Sequence, residues 1–213
     1  MLHHEVVDPG GRRLVRCCTP SAAAVVLGST QQASDFDEKR VAAAGFRLVR
    51  RQSGGGAVLV APGSQVWLDV FVPTGDPLAE HDVGRAFAWL GAVYGRALAS
   101  ELGETRATQV HAGAPARNAW SPVLCFAGLG PGEVTVDERK VVGMSQRRDR
   151  TGAWFQTLVA LDQLGSMLAD LLECTELERE EARALLKATG LSPSDQAAGL
   201  ADRLTRAVLG ALP

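Results

Sequence analysis

The chain has 213 residues, 46% of them hydrophobic and 22% charged, with 22 basic against 24 acidic side chains and a formal net charge of −2. That balance gives no electrostatic case for a nucleic-acid partner or an anionic membrane surface, and no apolar run approaches the length of a membrane span. The length suits one sizeable core with a small appendage; the opening MLHHEVVDPGG lacks a basic segment leading into an apolar stretch, so no secretory signal and a cytoplasmic location are expected.

In chain order, Arg12 to Cys18 and Ala23 to Leu27 read as short strands. Ser34 with Asp37 predicts a helix cap and Gly45 a helix end. Three further strands are expected, from Phe46 to Arg51, Ala57 to Val60 and Gln65 to Val72. The Gly54–Gly56 loop would join the first two, and Pro62-Gly63-Ser64 the last two. His81 to Leu102 carries apolar residues at helical spacing and stops at Gly103. Strands then return at Val123 to Phe126, Glu133 to Val136, Lys140 to Arg147 and Ala153 to Leu161. From Leu164 onward the pattern is helical, with caps expected at Thr175/Glu178 and at Ser192-Pro193/Asp195. The implied class is α+β: a mixed, largely antiparallel sheet flanked by helices.

The cysteines (17, 18, 125 and 174) form no CxxC pair and the four histidines no HExxH motif, so no metal site is expected. The run RRQSGGGAV, Arg50 to Val58, carries the clearest chemistry. Three consecutive glycines let a slender ligand lie against bare backbone. The arginine pair supplies planar cationic forks for carboxylate or phosphate. A strand rather than a helix follows the glycines, which excludes a P-loop or a dinucleotide fingerprint. Lysine is scarce: only Lys39, Lys140 and Lys187. Lys140, in ERKVVGMSQRR, is a compact donor suited to polarising a carbonyl. Cys125 lies fifteen residues earlier, a spacing that suits two hairpin strands, and a thiol beside positive charge becomes an acyl-accepting nucleophile.

RRQSGGGAV and ERKVVGMSQRR together resemble the catalytic domain of the biotin/lipoate protein ligase family, especially lipoate–protein ligase A and its octanoyltransferase relatives, over roughly Val25 to Leu161. VVLGSTQ, Val25 to Gln31, is similar to the family's first pocket strand. The resemblance implies the class II biotin/lipoyl ligase fold, with residues 1–162 as the catalytic domain and 163–213 as a helical extension packed on it. It implies substrate contacts from Arg51, Ser53, Gly54, Gly55, Gly56, Ala57, Gly143 and Arg147, with Lys140 and Cys125 as the catalytic candidates. Arg51 and Arg147 would hold phosphate. The activity implied first is ATP- and Mg2+-dependent ligation of lipoate or octanoate, through an acyl-adenylate, to one lysine of a lipoyl-domain acceptor. Such acceptors are the E2 subunit of a 2-oxoacid dehydrogenase and the glycine-cleavage H protein. Two alternatives stand beside it. One is transfer of octanoate from acyl carrier protein through a Cys125 thioester; the other is a lipoate-binding module without catalysis. Gln156-Thr157 replaces the family's His-Gly pair, Ser64 an asparagine and Ser29 an arginine. A separate accessory domain would complement the short helical tail.

Overall fold

The computed structural model describes residues 9–103, 105–162, 164–192, 195 and 198–213. Two sheets stack on each other. The larger runs β1 (Leu14–Cys18), β5 (Gln65–Pro73), β9 (Gly152–Ala160), β8 (Arg139–Asp149), β7 (Val134–Val136) and β6 (Thr108–Val110), and every neighbouring pair is antiparallel. The smaller runs β3 (Arg47–Arg50), β2 (Ala24–Leu27) and β4 (Val58–Val60). Its β2–β3 pair is parallel and its β2–β4 pair antiparallel. A parallel pair needs a crossover, and α1 (Glu38–Ala43) provides it, capped by Asp37 accepting from Lys39 N and Arg40 N. Ser34 is not part of that cap; it lies in a 3-10 turn at Ala33–Asp35.

Alternation along β5 and β9 gives the larger sheet two unlike faces. Leu68, Val70, Phe155 and Val159 point to α2 (Ala88–Leu102) and α5 (Leu200–Ala211), which answer with Leu90, Tyr94, Leu98, Leu204 and Val208. Each such side chain contributes about 1.5–3 kcal/mol by leaving water. Trp67, Asp69, Gln156 and Leu158 point the other way, toward the smaller sheet. The helices α3 (Gly165–Asp170) and α4 (Glu176–Lys187) bury Leu168, Leu172 and Leu186 against that smaller sheet. A reciprocal Thr175/Glu178 capping box starts α4. The second cap pair, Ser192 and Asp195, is joined by a 2.9 Å bond from Ser192 N, while residues 193, 194, 196 and 197 lie outside the described set.

Three expectations need correction. The helix expected from His81 becomes a regular α-helix only at Ala88, after a 3-10 turn at Arg85–Phe87. Val83, expected on its apolar stripe, is 58% exposed. The Val123–Phe126 strand reduces to one bridge, Ala57 to Leu124, followed by a 3-10 turn at Cys125–Ala127. The Gly54–Gly56 loop joins β3 to β4 as expected, but β2 lies between them, so the loop must cross over the end of β2. No helix among the described residues is long and apolar enough to cross a membrane.

Candidate functional site

That crossing explains the glycines. A Cβ on Gly28, at the end of β2, would overlap the Gly55 carbonyl oxygen. One on Gly56 would sit 2.7 Å from the Leu124 backbone. The loop therefore threads between two backbones, a gap no side chain fits. Ser29 N donating to Ser53 O, 2.9 Å, and Arg51 N donating to Leu27 O, 2.9 Å, anchor it to β2. Ala57 completes the anchoring, its N donating to Val123 O (2.7 Å) and its O accepting from Cys125 N (2.9 Å).

Both arginines brace this loop. Buried Arg51 donates through Nη2 to the carbonyls of Gly54 (2.6 Å) and Gly56 (2.9 Å), through Nη1 to Val26 O, and through Nε to Ser53 Oγ. Arg50 Nη1 donates to the carbonyls of Gly28, Ser29 and Gln31. Neutral acceptors, most of them carbonyls, hold these groups without cancelling their charge, and no carboxylate pairs with either guanidinium among the described residues. Burial pulls the Arg51 guanidinium below its ordinary value, and its electrostatic interaction with Cys125 opposes that shift.

Lys140 is buried too. Its Nζ donates to Cys125 O (2.7 Å) and Gly128 O (2.8 Å), pairs with Glu133 Oε2 at 2.6 Å, and lies 5.2 Å from the centre of the Phe126 ring. Register explains the convergence. Val134 pairs with Val142 but Thr135 with Lys140, so Val141 is an extra residue in β8. Without it, Lys140 and Gly143 would face opposite sides. With it, both meet the Cys125–Gly128 turn: a Cβ on Gly143 would stand 3.0 Å from Phe126 and 3.5 Å from Cys125 Sγ. The amine thus meets the glycine loop through the peptide of Cys125, which both touch.

Between the sheets lies a slot of about 40 Å³, lined by Cys125, Phe126, Gly143, Leu158, Val58 and Arg51 among others. One cross-strand row of the larger sheet is polar throughout: Ser145 and Gln156 under the slot, continuing into Asp69 and Arg16 beyond it. Arg16 Nη2 donates to Asp69 (2.6 Å), Gln156 Oε1 accepts from Ser53 Oγ (2.5 Å), and Ser53 and Ser145 share a hydroxyl bond of 2.8 Å.

Of the residues singled out from sequence, Arg51, Cys125 and Gly143 line the slot, Ser53 bonds its Ser145 and Gln156, Gly56, Ala57 and Lys140 meet the backbone of Cys125, and Gly54 and Gly55 lie against Arg51. Arg147 lies elsewhere, paired with Asp149 at 2.9 Å near the exposed end of β8. Thr157 turns its hydroxyl to Tyr94 and Leu68 O on the opposite face, while both Gln156 and Thr157 border the slot. Ser64 sits in the turn leading to β5, its carbonyl accepting from Leu161 N. Glu133 was missed in the sequence; its place seven residues before Lys140, across a tight hairpin, was the available signal. Among the described residues no group of three or more His, Cys, Asp and Glu side chains is placed to hold a metal ion.

A family model described as "Lipoyl protein ligase A/B catalytic domain" matches residues 2–189. No curated protein matches the chain by sequence. Among solved structures, a bipartite lipoate protein ligase from Thermoplasma acidophilum, studied with its E2 lipoyl domain, superposes with a TM-score of 0.71 at 16% identity, covering 94% of this chain and 69% of that one. Lipoate-protein ligase A bound with ATP gives 0.62 at 16%, covering 94% and 72%. P. falciparum LipL1 in complex with lipoate gives 0.61 at 13%, covering 97% and 51%. These likenesses show the fold.

Proposed function

Because the chain belongs to the lipoyl protein ligase A/B catalytic domain family, we propose that it attaches a lipoyl or octanoyl group to one lysine of a lipoyl-domain acceptor, such as a 2-oxoacid dehydrogenase E2 subunit or a glycine-cleavage H protein. The observation that carries this reading is the inter-sheet slot that ends at the Cys125 thiol beside bare glycine backbone.

Of the possible routes, the thioester route suits the site best. Cys125 lines the slot together with Arg51, whose charge no carboxylate cancels among the described residues, so a nucleophilic sulfur and a fixed cation border the same space. Lys140 acts on the backbone of Cys125 and Gly128, fixing the turn that presents the sulfur. The sulfur attacks the thioester carbonyl of octanoyl–acyl carrier protein; a C–S bond forms, and the carrier's thiol leaves with the proton Cys125 gives up. The acceptor lysine's amine then attacks the Cys125 thioester, the amide C–N bond forms, and the sulfur recovers a proton from that amine.

The adenylate route is the second reading, favoured by the same uncancelled charge on Arg50 and Arg51. The phosphates of ATP with Mg2+ do not fit the arrangement described, because Arg50, Arg51 and Lys140 already donate to protein acceptors and Arg147 pairs with Asp149. No step is derived through them. A mixing assay with a lipoyl domain separates the routes. Transfer from octanoyl–acyl carrier protein without ATP, lost in Cys125→Ala, supports the thioester. Strict need for free lipoate, ATP and Mg2+, with Cys125→Ala active, supports the ligase. Calorimetric binding of lipoate with no product in either format identifies a binding module.

A further inference from the structure

The gap between the sheets holds a second cavity, of about 140 Å³, beside the slot. The slot lies over β8 and β9, with Gly143, Ser145, Gln156 and Leu158 on its floor; the second cavity lies over β1 and β5, with Arg16, Cys18 and Asp69. Three residues wall both: Trp67 from the larger sheet, and Val26 and Val60 from the smaller. Strand order makes Trp67 the divider, since β5 stands between β1 and β9.

We propose that Trp67 closes the far end of the acyl slot and sets the length of the acyl chain it accepts. The inference rests on the acyl-slot reading above. The valines are too small to fill the gap, whereas an indole is the largest side chain available. It is also held: Trp67 Nε1 donates to Asp69 Oδ1 at 2.9 Å, and Asp69, 1% exposed, is fixed in turn by Arg16 Nη2 at 2.6 Å. A hydrogen-bonded ring on a buried carboxylate does not swing aside for a longer chain. Behind it, the second cavity is flanked by Ala24, Val49 and Val60, apolar surface that a chain would bury. Its volume, about 140 Å³, lies directly behind the indole, so removing the ring joins it to the slot and lengthens the space open to a chain.

The test measures transfer to a lipoyl domain from acyl carrier protein loaded with octanoyl, decanoyl, dodecanoyl or tetradecanoyl chains. Wild type is expected to prefer the short chains. Because each added methylene contributes up to about fourfold when buried, Trp67→Ala should raise the kcat/KM ratio of dodecanoyl over octanoyl by about tenfold or more. Trp67→Leu, which keeps apolar bulk against the smaller sheet, should move the ratio in the same direction by less, and it carries the test should Trp67→Ala not fold. An unchanged chain-length optimum in a folded variant overturns the inference while the acyl reading stands. No transfer of any chain by wild type, with acyl-carrier or with free acid, ATP and Mg2+, overturns both.

Discussion

The two faces of the larger sheet are built by opposite rules. Toward α2 and α5 the sheet presents Leu68, Val70, Phe155 and Val159, a dry interior whose polar exceptions, Tyr94 and Thr157, bond each other. Toward the smaller sheet it presents a polar row and the walls of two cavities, and Arg50 and Arg51, donating largely to backbone carbonyls, come from the smaller sheet's side. The first face is packed with apolar side chains over most of its length, and open space borders it only toward Val72, Ala153 and Phe155. The second keeps open space and uncancelled charge, both of which work against stability and serve a ligand. Stability and chemistry are thus segregated across a single layer of strands, and substitutions on the two sides should give different phenotypes.

The largest effect is expected at the sulfur. Cys125→Ala should lower acyl transfer by at least about 10³-fold; chemical unfolding should show less than about 1.5 kcal/mol lost, since the thiol borders open space. A variant that stays active would move the chemistry elsewhere on that face. Next is the ion pair beneath it. Glu133→Ala leaves Lys140 a buried cation without its carboxylate, and should cost about 3–5 kcal/mol together with activity; Glu133→Gln, which keeps an acceptor, should recover much of the loss. On the packed face, Leu90→Ala should cost about 2–5 kcal/mol with kcat/KM per folded molecule unchanged. Loss of specific activity there would break the segregation of the two faces.

The smallest effect is a pH dependence. Burial, with help from Asp69, pushes the Cys18 thiol up from 9.0 to about 12. A group whose pKa is raised on folding favours the folded state below its unfolded value and loses that advantage as pH rises toward the folded one. Tm should therefore fall more steeply between pH 9 and 12 in wild type than in Cys18→Ala, and parallel curves would show that the thiol is not shielded.

Local signals made most elements legible. Thr175/Glu178 and Asp37 state their caps in residue types, and β5, β8 and β9, apolar and β-branched runs between turn residues, are found within a residue or two. The glycine run and Lys140 were legible as a motif. What the sequence hid is long-range. Nothing in Phe46 to Val60 says that β2 will insert between two adjacent strands, so the glycines read as a loop bared for a ligand, with no sign of the crossing. The arginine pair reads as a phosphate fork because its true partners are backbone carbonyls, which carry no residue signature. Trp67 reads as one more strand residue until two cavities are seen to share it.

The most direct test follows the sulfur itself. Wild-type protein mixed with octanoyl–acyl carrier protein, without ATP, and examined by peptide mass spectrometry should carry one octanoyl group on Cys125. Adding a lipoyl domain should then empty that cysteine as the acceptor lysine fills. An unmodified Cys125 throughout, with acceptor acylated only when free acid, ATP and Mg2+ are supplied, would contradict the account.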